Sequence, residues 1–458
     1  MFKPSTLHQN QCTQPNAVQI VSIGNENSND EIVFHEEKFQ NILSKIPPQY
    51  KISVLSVVGA TLSGNSFLLN RILSYLHVHH TTRSKTNGNA LSHSKPSYYN
   101  FDNLDSNSGF HGREGEDRNT NGIWIWSEPF LMEKDVPENS SKKESIALVL
   151  LDAQGMFDNG ITMKLFGLST LFSNIQIFNV VTQVQEDHFQ QLALFADNRR
   201  VVSMKTNASA QKPFQRTEFL ARDWKHFDAD EDGNIEPLED EMPAYIRKVI
   251  AKRNDLEPQG SHEYMKTSVD EISCFMITYP GFVTGSVVED KNYDGDTNEE
   301  NSKLLELLNS FCEKILNDKC LEPKKMNGRE LTVTEFMNYA KEYVGLLKKG
   351  ETFPEATVLL EATVNASIMN AMEESMKIYK NNMDSVVGPN VTALVSQSNL
   401  KKNHIKFHDL ALKTFDCKVN FENKYAMNEW KLKLEEKINR ALFYYCGLNC
   451  RRQPSLRK

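Results

Sequence analysis

The sequence predicts an α/β domain, with a mostly parallel sheet flanked by helices, followed by a small helical bundle. Three observations predict it. Short apolar runs alternate with stretches of helical spacing over the first two thirds of the chain, the pattern of βαβ units wound by right-handed crossovers. The apolar run "KISVLSVVGA" leads through small residues into the helical "SFLLNRILSYL". Composition changes near residue 350, and three long helical stretches follow, as in a bundle.

The elements follow in chain order. Residues 1–15 are polar and read as a mobile tail. "AVQIVSI" reads as a strand and "HEEKFQNILSKI" as a helix, and the strand–loop–helix segment comes next. Residues 77–119 are rich in His, Ser, Asn and Gly and read as a long loop, a length that implies function or disorder. "IALVLLD" at 146–152 is an apolar run closed by Asp, as in a buried strand. "MKLFGLSTLFSNIQIFNVV" reads as an apolar helix or a helix–strand junction, and "RTEFLARDW" closes another strand. Gly350 and Pro354 mark a linker. The expected division is therefore 16–347 for the first domain, 348–353 for the linker, 354–446 for a three-helix bundle and 447–458 for a basic tail. In the last helix Leu434, Ile438, Leu442 and Tyr445 share a face.

Composition excludes several classes. A chain of 458 residues holds two or three domains. Its net charge of -8 argues against a general nucleic-acid binder. No apolar run reaches the roughly 18 residues of a spanning helix. The N-terminus carries no apolar core of a secretory signal. Seven scattered cysteines then imply free thiols in a reducing compartment.

"VVGATLSGNS", from Val57 to Ser66, departs by one residue from the phosphate-binding pattern G-x-x-x-x-G-K-[ST]. Gly59, Gly64 and Ser66 are in place, and Asn65 stands at the lysine position. Alone, the stretch is either a nucleotide loop that lost its charge or a chance run of small residues. Three further segments favour the loop. "RNTNGIWIW" puts Thr120 two residues before Gly122, as in a first switch. "VLLDAQG" ends a strand with Asp152 and Gly155, as in a second switch. "FLARDW" puts Arg222 and Asp223 at a later strand end, where a guanine-reading carboxylate belongs. Order and strand-end placement agree with the carboxyl edge of an open sheet.

At these residues the sequence resembles the atlastins, membrane-fusing GTPases of the dynamin superfamily related to the guanylate-binding proteins. "TNGIWIWSEPFL", "LLDAQGMFD", "KPFQRTEFLARDW" and "EISCFMITYPG" carry the resemblance, and it covers roughly residues 16–445. It implies a P-loop GTPase domain whose Gly59–Ser66 loop, with Phe67 behind it, wraps the phosphates. It implies that Ser66 and Thr120 offer hydroxyls to Mg²⁺, that Asp152 holds a metal-bound water, and that the Gly155 amide senses the γ-phosphate. It also implies Arg113 as a catalytic arginine acting in cis. Arg222 and Asp223 then form the base-binding pair, with Asp223 selecting GTP. Implied partners are GTP and GDP, and a second copy or an atlastin through the G domain. The implied location is the cytosolic face of the endoplasmic reticulum, with only peripheral membrane contact by this chain.

Departures limit the carry-over. Asn65 gives a neutral hydrogen bond where the family has a charged one, Ala153 replaces a threonine, and Leu62 and Ser63 replace basic residues. Arg83 and Lys85 are the nearest cations in sequence that offer rescue. Efficient turnover is therefore not expected, and a pseudo-GTPase that pairs with a membrane-anchored atlastin is the alternative. A Ca²⁺-regulated scaffold is a third reading. "DADEDGNIEPLE" fits an EF-hand loop with Asp228, Asp230, Asp232 and Glu239 as ligands, or is an acidic surface loop, and Pro237 is awkward in it. Cys446 and Cys450 beside Arg451 and Arg452 form either an acylation site with a basic patch or a frayed terminus. His77, His79 and His80 read as a solvated loop rather than a metal site.

Overall fold

The structure is a computed structural model. It describes residues 15–24, 32–59, 64–85, 109–110, 122–135, 143–153, 160–184, 214–224, 241–251, 269–279, 302–317, 321–326, 329–349, 356–419 and 424–452. These residues fall into two compact units, one built on a sheet and one helical.

The first unit is a nine-stranded sheet. Its strands are β1 (Ala17–Ile23), β2 (Ile32–Phe34), β3 (Lys51–Gly59), β4 (Ile123–Trp126), β5 (Phe130–Asp135), β6 (Lys143–Ala153), β7 (Ile175–Val181), β8 (Phe214–Arg222) and β9 (Val269–Met276). They are ordered β2-β1-β4-β6-β3-β7-β8-β9, with β5 also paired to β6. The run β6-β3-β7-β8-β9 is parallel. The strands on the other side of β6 are antiparallel. In β3, every residue from Ile52 to Gly59 is buried, as a strand covered on both faces requires. Among the described residues the sheet unit carries helices α1 (Glu36–Leu43), α2 (Asn65–Lys85), α3 (Gly160–Phe172), α4 (Glu241–Ala251) and α5 (Ser302–Leu316). A short hairpin follows, β10 (Lys325–Met326) with β11 (Arg329–Glu330).

Helix α2 corrects the loop expected from residue 77. It continues to Lys85, and its first histidines, though exposed, touch other rings. The His79 ring lies 4.1 Å from Tyr75, and His77 meets the edge of Phe130 at 5.4 Å. Their polar letters disguised a continuing helix.

Strand register brings the chemistry-bearing residues to one edge. Val57 of β3 pairs with Asp152 of β6, Gly59 of β3 with Asn179 of β7, and Val181 of β7 with Arg222 of β8. All lie at the carboxyl ends of parallel strands, where open α/β sheets bind ligands. Gly122 shows how tightly the neighbouring strands meet: with φ of +124°, a Cβ there would stand 1.9 Å from the Val21 carbonyl oxygen. Only glycine fits.

The helical unit holds α6 (Val333–Lys349), α7 (Ala356–Val387), α8 (Gln397–Lys418) and α9 (Lys424–Cys450). The residues of α6 from Thr334 to Leu346 belong here, not with the sheet. Asn338 donates to Asn370 at 2.8 Å, Tyr339 bonds Ser367 at 2.7 Å and Tyr343 bonds Thr363 at 3.0 Å. The descending partner numbers mark an antiparallel pair with α7. The helical unit therefore begins before the expected boundary at residue 354, and the residues around Gly350 and Pro354 lie outside the described residues. Tyr379, Met383, Phe407, Phe415, Leu434 and Ile438 form its core. Helix α9 runs past the expected boundary to Cys450, and Arg452 then donates to the Val387 and Gly388 carbonyls at 3.2 and 2.6 Å. A cation on the C-terminal carbonyls of α7 satisfies groups the helix cannot pair internally. Cys446 packs against the bundle core and Cys450 is exposed. Among the described residues no helix is long and apolar enough to cross a membrane.

Candidate functional site

The first cluster lies between the end of β3 and the start of α2. Gly64 takes φ of +77°, a conformation glycine adopts without a Cβ penalty. Its carbonyl accepts the first helical bond, from Leu68 N–H at 3.0 Å. The N–H groups of Asn65, Ser66 and Phe67 thus head a 21-residue helix, and such a terminus favours an anion. Phe67 is half-exposed, with the Arg71 guanidinium 5.3 Å from its ring centre.

Ser66 Oγ donates to Asp152 Oδ2 at 2.7 Å. Both side chains are buried. Burial pushes the Asp152 carboxyl up to about 7, and the Ser66 bond offsets this only in part. A buried carboxyl beside a hydroxyl is a pair of hard oxygen donors short of positive charge, which fits Mg²⁺. Among the described residues no group of three His, Cys, Asp or Glu side chains gathers on a metal-sized site.

Asn65 does not hang in solvent. Its Oδ1 accepts a hydrogen bond from Asn179 Nδ2 at 2.9 Å. Asn179 is buried and lies opposite Gly59 in the register. Sequence reasoning missed this partner. A lone Asn in "IQIFNVV" carries no signal until β7 is known to neighbour β3.

The second cluster lies at the tip of β8. Arg222 O accepts from Thr182 N–H at 2.8 Å, and Trp224 N–H donates to Ile277 O at 3.0 Å. Between them Asp223 takes φ of +58°, and Thr182 takes +61°. Two adjacent strand ends thus carry left-handed, non-glycine residues, a strain that clusters at functional sites. A cavity of about 200 Å³ opens here, lined by Gly64, Phe67, Arg222, Asp223, Ile277 and Thr278 among others. It joins the loop glycine to the strand-end carboxylate.

Asn70 of α2 adds a clamp that sequence reasoning also missed. It donates to Phe110 O at 3.0 Å and accepts from Phe110 N–H at 2.7 Å. Phe110 is buried against Trp126. The structure thus gathers Gly59, Gly64, Asn65, Ser66, Phe67, Asp152, Arg222 and Asp223 at one sheet edge. Arg113, Thr120, Gly155, Asp228, Asp230, Asp232 and Glu239 lie outside the described residues, as do Ala60–Ser63 and the side chains of Arg83 and Lys85.

A parallel strand that turns through glycine into a helix, with a Ser–Asp pair beside it and an Arg–Asp pair two strands away, defines a P-loop nucleotide-binding protein. The sequence profile for the guanylate-binding protein N-terminal domain matches residues 29–324. The chain is 30% identical to atlastin-3 of Mus musculus over 442 residues, covering 95% of this chain and 76% of the relative. For atlastin-3 of Homo sapiens the figures are 30% over 443 residues, 95% and 76%. For the atlastin of Drosophila melanogaster they are 28% over 448 residues, 94% and 75%. The chain belongs to the guanylate-binding protein family, as an atlastin-like GTPase of the dynamin superfamily.

Proposed function

We propose that this chain binds GTP with Mg²⁺, hydrolyses it slowly, and couples the nucleotide state to dimerisation and to tethering or shaping of endoplasmic-reticulum membranes at their cytosolic face. The buried Ser66–Asp152 pair beneath the head of α2 carries the reading. The guanine ring enters the cavity beside Asp223, whose carboxylate accepts two N–H bonds that adenine lacks. The phosphates lie on the first-turn N–H groups of α2. Mg²⁺ neutralises charge on the β- and γ-phosphates when bound. Ser66 would offer it a hydroxyl, and the Asp152 carboxylate would accept hydrogen bonds from water bound to it. By the resemblance, Arg113 would stabilise the charge that develops as water adds to the γ-phosphorus and the bond to GDP breaks, and Thr120 would offer a second hydroxyl to the ion.

Slow turnover follows from Asn65. A charged hydrogen bond contributes about 1.5–3 kcal/mol, and transition-state charge makes its loss costlier in hydrolysis than in binding. A second reading is a pseudo-GTPase that pairs with a membrane-anchored atlastin. The Asn65–Asn179 bond favours it, because an amide tied to the sheet gives no charge to a leaving phosphate. Single-turnover hydrolysis of GTP by the full chain separates the two: measurable, Mg²⁺-dependent release of phosphate supports the enzyme, and tight binding without release supports the partner module.

A further inference from the structure

We propose that the groove between α7 and α9 is a docking surface for an anionic lipid membrane. This deepens the membrane part of the reading above and rests on it, and it is independent of the nucleotide site.

The two helices are tied at Tyr445, whose hydroxyl reaches the Lys380 carbonyl at 3.2 Å and Asp384 Oδ1 at 2.9 Å. A cavity of about 910 Å³ opens along this seam. Met376 and Tyr444 give it apolar surface, and Lys377, Lys380, Lys437 and Arg440 give it charge. Among the described residues Lys377, Lys380 and Lys437 make no ion pair, and Arg440 has only Glu436 at 3.9 Å. Two carboxylates also line the groove, and each already accepts from a neutral donor: Glu373 from Asn338 at 3.2 Å, Asp384 from Tyr445. Four cations against two carboxylates make a local positive excess on a chain of net charge -8, and such a patch attracts an anionic partner.

The neighbouring side chains select the kind of anion. Tyr444 is exposed, and Phe443 beside it is 79% exposed though it lies outside the groove lining. Leu432, also exposed, stands eleven residues before Phe443, about three helical turns, and so shares its face. An acidic peptide seated in the groove covers Tyr444 and leaves Phe443 and Leu432 in water. A membrane surface meets all three. Apolar and aromatic side chains beside a row of cations are the composition of a helix that lies in the membrane interface. Aromatic rings settle at headgroup level there, and lysine stems reach past them to the phosphates. Three of the four cations are lysines, flexible point charges suited to mobile headgroups rather than to the fork-shaped pairing of one fixed carboxylate.

The test is co-sedimentation of the full chain with vesicles of phosphatidylcholine alone and of equal parts phosphatidylcholine and phosphatidylserine. The proteins are wild type, Lys377→Glu with Lys380→Glu, and Phe443→Ser. Lys401→Glu with Lys402→Glu, on exposed residues of α8, is the control of equal charge. Wild type should bind the anionic vesicles at least about tenfold more tightly than the neutral ones. Reversing the α7 pair should weaken that binding about twentyfold or more, since each cation near such a surface contributes about fivefold. Phe443→Ser should weaken it about tenfold through lost apolar burial, and the α8 control should stay within about threefold. If the α7 variant does not fold, Lys437→Glu with Arg440→Glu takes its place with the same expected loss. Equal losses in the groove variant and the α8 control overturn the proposal, because diffuse charge then explains the binding. Capture of polyglutamate without preference for anionic vesicles overturns it as well and gives the groove to an acidic segment. Vesicle binding that the groove variants leave unchanged defeats this inference alone, whereas a wild type that binds neither vesicle defeats the peripheral membrane reading itself.

Discussion

Asn179 donates its side-chain amide to Asn65 at 2.9 Å, from the strand that neighbours the loop-bearing strand. The residue at the lysine position is thus held by the sheet beneath the loop. A lysine placed there reaches farther than the asparagine and meets an amide oxygen able to accept from it. The site therefore has room in chemistry, if not in charge, for the residue it lacks.

Asp223→Ala should reduce GTP affinity by about 1.5–3 kcal/mol, the value of bonds to a charged acceptor, and leave ATP affinity where it was. Competition binding measures both. If ATP already competes with GTP as well in the wild type, the base assignment to Asp223 is wrong.

Mg²⁺ affinity should fall with pH below about 7, where the Asp152 carboxyl takes up a proton. A raised carboxyl also makes the metal-free fold lose stability as pH rises from its ordinary 3.8 through about 7, because the native state holds the proton the unfolded chain has released. Mg²⁺ titrations between pH 6 and 8 should show about a tenfold loss per unit below the midpoint, and Asp152→Asn should bind weakly with no such slope. A flat profile in the wild type contradicts the assignment.

Glu218 is completely buried and bonds Lys314 at 2.9 Å, Arg216 at 3.3 Å and the Ser273 hydroxyl. Removing it in Glu218→Ala leaves the partner charges without their carboxylate in the middle of β8, and should cost about 3–5 kcal/mol. Urea unfolding followed by circular dichroism checks this. A loss below about 1 kcal/mol, the range of an exposed pair, shows that the network is dispensable.

Much of this fold was legible because its strands are apolar runs closed by a residue of distinct chemistry. Gly59, Asp152 and Arg222 each end such a run. Helix α2 was legible only in its first turns, since a polar run with three histidines reads as a loop in a sequence, while the exposed His77 and His79 sit on a continuing helix beside Phe130 and Tyr75. The grouping of α6 with α7 was hidden for another reason. Asn338, Tyr339 and Tyr343 find their partners beyond Gly350 and Pro354 in the sequence, and the residue letters alone do not show that pairing. Asn179 and Asn70 were illegible because their roles depend on partners far along the chain, 114 and 40 residues away.

The central claim is a guanine-nucleotide site weakened at one position. Calorimetric titration of GTP with Mg²⁺, on the wild type and on Asn65→Lys, tests it most directly. The account predicts binding by both, tighter in the variant by about 1.5–3 kcal/mol, with a larger gain in single-turnover hydrolysis that disappears when Arg113→Ala is added. Equal affinity in the two proteins, or a wild type that already turns over GTP at an ordinary enzymatic rate of roughly 1–10³ s⁻¹, contradicts it.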